Sequence, residues 1–120
     1  MTYTAIVLTL DSQNQLKSHF NIPETWEIIC HHMTCNMGLP NDSIKHWLGQ
    51  KVNLIVRTLA KDDLVMAVGV DTDVPSTNNI KHITLAVNRK NGGKPYLSNN
   101  LIKWEPVSEL FLQGIVQTVN

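Results

Sequence analysis

Cysteine is nearly absent from this chain of 120 residues; only Cys30 and Cys35 occur. Read as a strand, the segment between them spans about 16 Å and sets the two thiols on opposite faces. That argues against a disulfide between them and leaves no mark of an oxidising compartment. A surplus of positive charge is also missing, because Lys plus Arg and Asp plus Glu both total 10. A protein that holds a long nucleic-acid duplex carries such a surplus, so that partner is not expected. A small anionic ligand needs only a local positive patch and stays compatible. No apolar run reaches the roughly 20 residues that span a bilayer. Met1 to Leu10 has neither a basic start nor a cleavage-site pattern, and a cytoplasmic location with no membrane partner is the expectation. Low-complexity tracts and linkers are absent. What remains is 42% hydrophobic and 17% charged, which suits one core and one domain over residues 1–120.

Local patterning gives more strands than helices. Tyr3 to Leu10 (YTAIVLTL) reads as a buried strand. Asp11 or Ser12 is placed to cap a short helix to about Phe20, with Leu16 and Phe20 on one face. Trp26 to Cys35 (WEIICHHMTC) reads as one continuous strand, followed by a loop over Asn36 to Asn41. Asp42 can cap a short turn through Trp47 that Gly49 closes. Val52 to Ala60 and Leu64 to Val70 form a hairpin around Lys61-Asp62-Asp63. A polar loop from Asp71 to Asn79 precedes a strand over His82 to Asn88. Arg89 to Asn100 (RKNGGKPYLSNN) is a long basic loop. Leu101 to Val107, ended near Pro106, and Leu110 to Val119 are the last two strands. Hairpins without strand–helix alternation predict an α+β domain on an antiparallel sheet with a few short helices.

Two tripeptides recur, His32-Met33-Thr34 and His82-Ile83-Thr84, 50 residues apart. On a strand, residues i and i+2 share a face, so each tripeptide presents an imidazole and a hydroxyl on one side. In the second, Ile83, Leu85 and Val87 point into a core, while His82, Thr84 and Ala86 face outward or into a groove. Cleaving a phosphodiester takes one proton from the attacking oxygen and gives another to the leaving oxygen. A neutral and a protonated histidine do both near neutral pH, and Thr hydroxyls can hold the non-bridging oxygens.

The paired H-x-T motifs resemble the 2H phosphoesterase superfamily. HITLAV is similar to the second motif of that family, and GGKPYLSN is similar to a loop of its RNA-repair-type and viral members. The resemblance implies a compact antiparallel sheet with a central groove and catalysis by His32, Thr34, His82 and Thr84 without cofactor or metal. It implies action on a 2′,3′-cyclic phosphate, a 2′–5′ oligoadenylate or a cyclic oligonucleotide. Two roles compete: a viral counter-defence enzyme that degrades a small nucleotide signal, or, as the alternative, the processing of RNA ends in repair. A module that binds a nucleotide without cutting it is a third reading. Closer spacing of the motifs than in most relatives, and Cys35 after Thr34, are departures from the family pattern.

Other residues take supporting roles. Arg89 and Lys94 offer an anion-attracting rim beside the second motif. Among Tyr3, Trp47, Tyr96 and Trp104, Tyr96 and then Tyr3 are the best placed to stack on a base, and Trp26 belongs to the core. His31, next to His32 on a strand, faces the opposite way and reads as structural; His19 and His46 read as surface residues. Asp71 and Asp73 read as a polar turn before they read as partners of an imidazole. Zinc is not expected at Cys30, His31, His32 and Cys35, because alternate strand residues cannot converge on one ion.

Overall fold

The computed structural model describes residues 1–120. Its elements run β1 (Tyr3–Leu8), α1 (Leu10–His19), β2 (Glu27–Ile28), β3 (His32–Met37), β4 (Lys51–Lys61), β5 (Val65–Asp71), β6 (His82–Val87) and β7 (Glu105–Val119). Short 3-10 turns cover Lys45–Trp47, Arg89–Asn91 and Pro95–Asn100. All pairings are antiparallel. The sheet order is β2-β6-β3-β1-β7-β4-β5, and an added β5–β6 pairing closes it into a ring. The sheet is therefore closed rather than open, and closure removes the exposed edges.

The ring encloses one main core, with Ile6, Leu16, Met33, Leu54, Val56, Val68, Ile83, Leu85 and Leu112 among its buried side chains. Ala60, Val65, Ala67, Val87 and Leu101 make a smaller cluster under Trp104 and Leu97. The helix begins earlier than expected, at Leu10. Thr9, not Asp11 or Ser12, accepts the cap bond, from the Ser12 N–H at 3.2 Å. The Ser12 hydroxyl instead accepts from the Gln113 N–H at 2.8 Å and ties α1 to β7. Trp26 packs against the main core as expected. No helix is long and apolar enough to cross a membrane.

Three strand expectations need correction. Trp26 to Cys35 is not continuous: β2 and β3 lie along the same edge of β6, and an elbow at residues 29–31 separates them. The pairs Ile28↔Ala86 and Met33↔Ile83 differ in register by two residues, which the elbow absorbs with Cys30 at φ +44°. Both thiols are free, as expected, yet they share one core because the strand that was to separate them is broken. Met37 extends β3 into the expected loop. Leu101 to Val107 and Leu110 to Val119 are not two strands. Glu105–Val119 is one strand, and residues 107–109 bulge out between the pairs Thr58↔Pro106 and Val56↔Leu110. Pro106, with no N–H to give, sits at that irregularity, where a strand tolerates it.

Gly114 lies opposite Leu8 where β1 and β7 approach closely. A Cβ there would stand 2.5 Å from Ile6 Cγ2 and 2.7 Å from the Val7 carbonyl oxygen. Gly114→Ala is expected to lower stability by about 1–3 kcal/mol through overpacking. Urea denaturation of both proteins checks this, and an unchanged midpoint would contradict it.

Candidate active site

The site sits where β3 meets β6. Only one ladder pair joins them there, Met33↔Ile83, and both side chains are fully buried in the core. Antiparallel register about that pair sets His32 alongside Thr84 and Thr34 alongside His82. Each imidazole thus stands across from the other motif's hydroxyl. The four groups line one cleft of about 360 Å³, with Tyr3, Pro95, Tyr96 and Ser98 among its other walls.

Both motif strands bulge just after the threonine. On β3 the register against β1 runs from Ala5↔Thr34 to Thr4↔Asn36 and skips Cys35. On β6 the register against β5 runs from Ala67↔Thr84 to Met66↔Ala86 and skips Leu85. A bulge re-aims the side chains beyond it. This corrects the expected alternation. Ile83 and Leu85 enter the main core as expected, but Ala86, expected in the groove, is also buried there, and Val87 turns to the smaller cluster.

His82 is 8% exposed. Its Nδ1 lies 2.7 Å from the Ile80 carbonyl; a carbonyl only accepts, so Nδ1 carries the proton. Its Nε2 lies 2.9 Å from Ser98 Oγ. Ser98 also stands 3.0 Å from Thr84 Oγ1 and 2.7 Å from the Pro95 carbonyl. That hydroxyl suits both charge states of His82. It donates to a neutral Nε2, and it accepts from a protonated one while donating to Pro95. Ser98 is not among the expected site residues, although its loop, GGKPYLSN, is one that carries the family resemblance. Its 3-10 turn is what bends the hydroxyl back to β6.

His32 uses its nitrogens differently. Its Nδ1 lies 3.0 Å from His31 Nδ1, while its ring stacks at a tilt on Tyr3, 4.9 Å between centroids. No buried side-chain nitrogen or oxygen in the protein lacks a partner, so Nε2, which bonds no protein group, is open to the cleft. Burial first, then the neighbouring His31 and His82, lower the His32 pKa from 6.5 to about 4. His32 is neutral at pH 7, with a lone pair to offer. The expectation that His31 faces away is corrected: it precedes β3, on the elbow, and its ring turns back to His32.

The remaining candidates divide. Tyr3 and Tyr96 line the cleft; Tyr96 is 63% exposed at its rim. Burial raises the Tyr3 pKa, so its hydroxyl stays protonated. Arg89 and Lys94 do not line the cleft, and Arg89 is ion-paired with Glu27. Trp47 packs against the main core, and Trp104 lies 6.2 Å from the His82 ring. Asp71 pairs with Arg57, and Asp73 is exposed, so no carboxylate orients an imidazole. His19 and His46 are exposed as expected. Burial pushes both Cys30 and Cys35 up to about 11, which removes their thiolates as nucleophiles.

The lowered His32 pKa has a stability consequence. Between pH 6.5 and about 4 the unfolded chain binds a proton at His32 that the folded chain refuses. Stability from this residue is therefore present above pH 6.5 and lost as pH falls toward 4. Urea unfolding at a series of pH values is expected to show a steeper acid loss in the wild type than in His32→Gln. Parallel curves would contradict it.

The model of the fungal tRNA ligase phosphodiesterase domain family matches residues 7–117. No curated protein and no solved structure matches the chain. The match takes in both H-x-T strands, the elbow and the Ser98 turn, which agrees with two imidazoles and two hydroxyls converging on one cleft. The chain belongs to the fungal tRNA ligase phosphodiesterase domain family, among the 2H phosphoesterases, and is an enzyme acting on phosphodiester bonds.

Proposed function

We propose that the protein opens 2′,3′-cyclic phosphates at RNA ends, with His32 as general base and His82 as general acid. The observation that carries the assignment is the unequal setting of the two imidazoles. His32 is held neutral with Nε2 open to the cleft. His82 donates Nδ1–H to a carbonyl, which fixes the ring and directs its Nε2 toward the Ser98 hydroxyl on the cleft wall. Water attacks phosphorus as His32 Nε2 takes its proton. The bond to one ribose oxygen breaks as His82 Nε2 gives that oxygen a proton. The product is a phosphomonoester on the other ribose oxygen. Thr34 and Thr84 hydroxyls donate to the non-bridging oxygens, where charge grows in the transition state. Both proton transfers close on imidazoles, so the scheme calls for no metal or cofactor.

The family's connection with tRNA ligase favours an RNA end over a small immune signal. So does the space beside the acid. A second cavity of about 530 Å³, lined by His82, Ser98, Asn79, Asn99 and Trp104 among others, adjoins the first. An RNA end brings a second nucleoside to fill it, whereas a mononucleotide does not. Tyr3 and Tyr96 contact the terminal nucleoside in this reading. Lys94, one residue before Pro95 on the cleft wall, supplies long-range attraction; Arg89 is left to its Glu27 pair. The zero net charge favours a single-stranded end over a long duplex, and it also carries the second reading, cleavage of a 2′–5′ oligoadenylate or cyclic oligonucleotide.

The test is turnover in excess EDTA. The panel contains an oligoribonucleotide with a 2′,3′-cyclic end, nucleoside 2′,3′-cyclic phosphates, 2′–5′ oligoadenylate, and cyclic di- and trinucleotides. The cyclic-ended RNA is expected to be opened, and His32→Ala and His82→Ala are each expected to slow it by about 10²–10⁴-fold. Full activity in either variant would overturn the mechanism, and turnover of the 2′–5′ or cyclic oligonucleotides alone would move the conclusion to the second reading.

A further inference from the structure

Neighbouring residues on a strand point to opposite faces, so adjacent histidine rings do not ordinarily touch. Here they do. The contact exists because the chain turns at Cys30, whose φ of +44° lies in the left-handed region that is strained for a side-chain-bearing residue. Hydrogen bonds hold that turn from both sides. The Ile29 and Cys30 N–H groups donate to the Leu85 and Thr84 carbonyls at 2.8 and 3.1 Å, and the Leu8 N–H donates to the His31 carbonyl at 3.0 Å. The Cys30 thiol also donates to Leu85. Strain kept at such a place points to a use for the conformation, and its product is the 3.0 Å approach of His31 Nδ1 to His32 Nδ1.

Proton counting limits what that approach can be. One Nδ1 donates and the other accepts, so the two rings cannot both be imidazolium. If His31 donates, a neutral His32 carries its hydrogen on Nε2 and has no lone pair for the cleft. If His31 accepts, His32 carries its hydrogen on Nδ1 and presents the Nε2 lone pair that a general base requires.

We propose that His31 is a positioning residue for the base: its Nδ1 accepts the Nδ1–H of His32 and so holds the Nε2 lone pair of His32 toward the cleft. This rests on the reading of His32 as the base. As His32 Nε2 takes the proton of water, the Nδ1–H bond to His31 strengthens and spreads the new positive charge over two rings. A proton bound by the pair from solvent has the opposite effect. On either ring it leaves His32 Nε2 protonated, so that proton takes the lone pair from the cleft and sets the acid limb of the reaction. The other titratable groups facing His32 are His82 from β6 and Tyr3 from β1. Lys17 of α1 is the charge whose field reaches Cys30 in the elbow.

The experiment compares wild type, His31→Ala and His31→Asn for kcat, KM and pH dependence on a 2′,3′-cyclic phosphate, together with ¹⁵N ring spectra of His32. The Asn side-chain oxygen can accept where Nδ1 did but does not titrate. His31→Ala is expected to lose kcat about 10–100-fold, the range found when the partner that orients a functional histidine is removed, with KM changed little. His31→Asn is expected to keep kcat within a few-fold and to move the acid limb to lower pH. In the wild type, the neutral His32 ring is expected to carry its hydrogen on Nδ1. An unchanged kcat and pH profile in His31→Ala, or a His32 hydrogen on Nε2, would overturn the proposal. A wild type that turns over no cyclic phosphate would instead sink the assigned reaction, and the ring spectra would still decide the His31 contact.

Discussion

One antiparallel pair, Met33 with Ile83, sets the geometry of the cleft. Both side chains are pulled wholly into the core, and on a strand that burial turns the flanking residues outward. His32 and Thr34 emerge on either side of Met33, and His82 and Thr84 on either side of Ile83. Because the strands run in opposite directions, the two motifs are related by a local two-fold, and each histidine meets the other's threonine. A slip of one residue would bury all four polar groups and expose the two hydrophobes. The hydrophobic core therefore fixes the register of the two motifs as well as the stability.

Barrel closure makes such a short seam sufficient. β3 is carried by its long pairing with β1, and β6 by its long pairing with β5. The seam between them need not hold the fold, so its backbone is free to bulge after each threonine and to bend at Cys30. Those irregularities give the two imidazoles unlike surroundings. His82 is anchored to a carbonyl and a serine, while His32 is enclosed by rings and set against a second histidine. A symmetric pair of motifs thereby gains two unlike imidazole environments, and burial among rings lowers the His32 pKa to about 4.

The motif strands were legible because their signal is local. His, Thr and the buried Met33 and Ile83 alternate with period two, and that period suffices to put the polar groups on one side. The hairpin of β4 and β5 was legible for the same reason, with Asp62 accepting from the Leu64 and Val65 N–H groups in the turn. The ring closure was not, since β5–β6 pairing is decided by packing between distant segments. The elbow was hidden because Cys30 is not a residue that announces a positive φ; without it, His31 had to be placed on the wrong face. Ser98 was hidden because a serine in a Gly/Pro/Asn-rich loop has no pattern of its own. Its partners His82 and Thr84 are supplied by the 3-10 turn. Val87 and Ala86 exchanged sides because the bulge at Leu85 breaks the period on which their placement rested.

The central claim is that the Met33–Ile83 seam makes His32 and His82 one catalytic unit acting on one phosphate. Double-mutant kinetics test it most directly. kcat/KM on a 2′,3′-cyclic phosphate would be measured for wild type, His32→Ala, His82→Ala and the double variant. Groups that act as a unit are grossly non-additive, so the double variant is expected to be within a few-fold of the worse single variant. Losses that multiply would show two independent contributions and contradict the account.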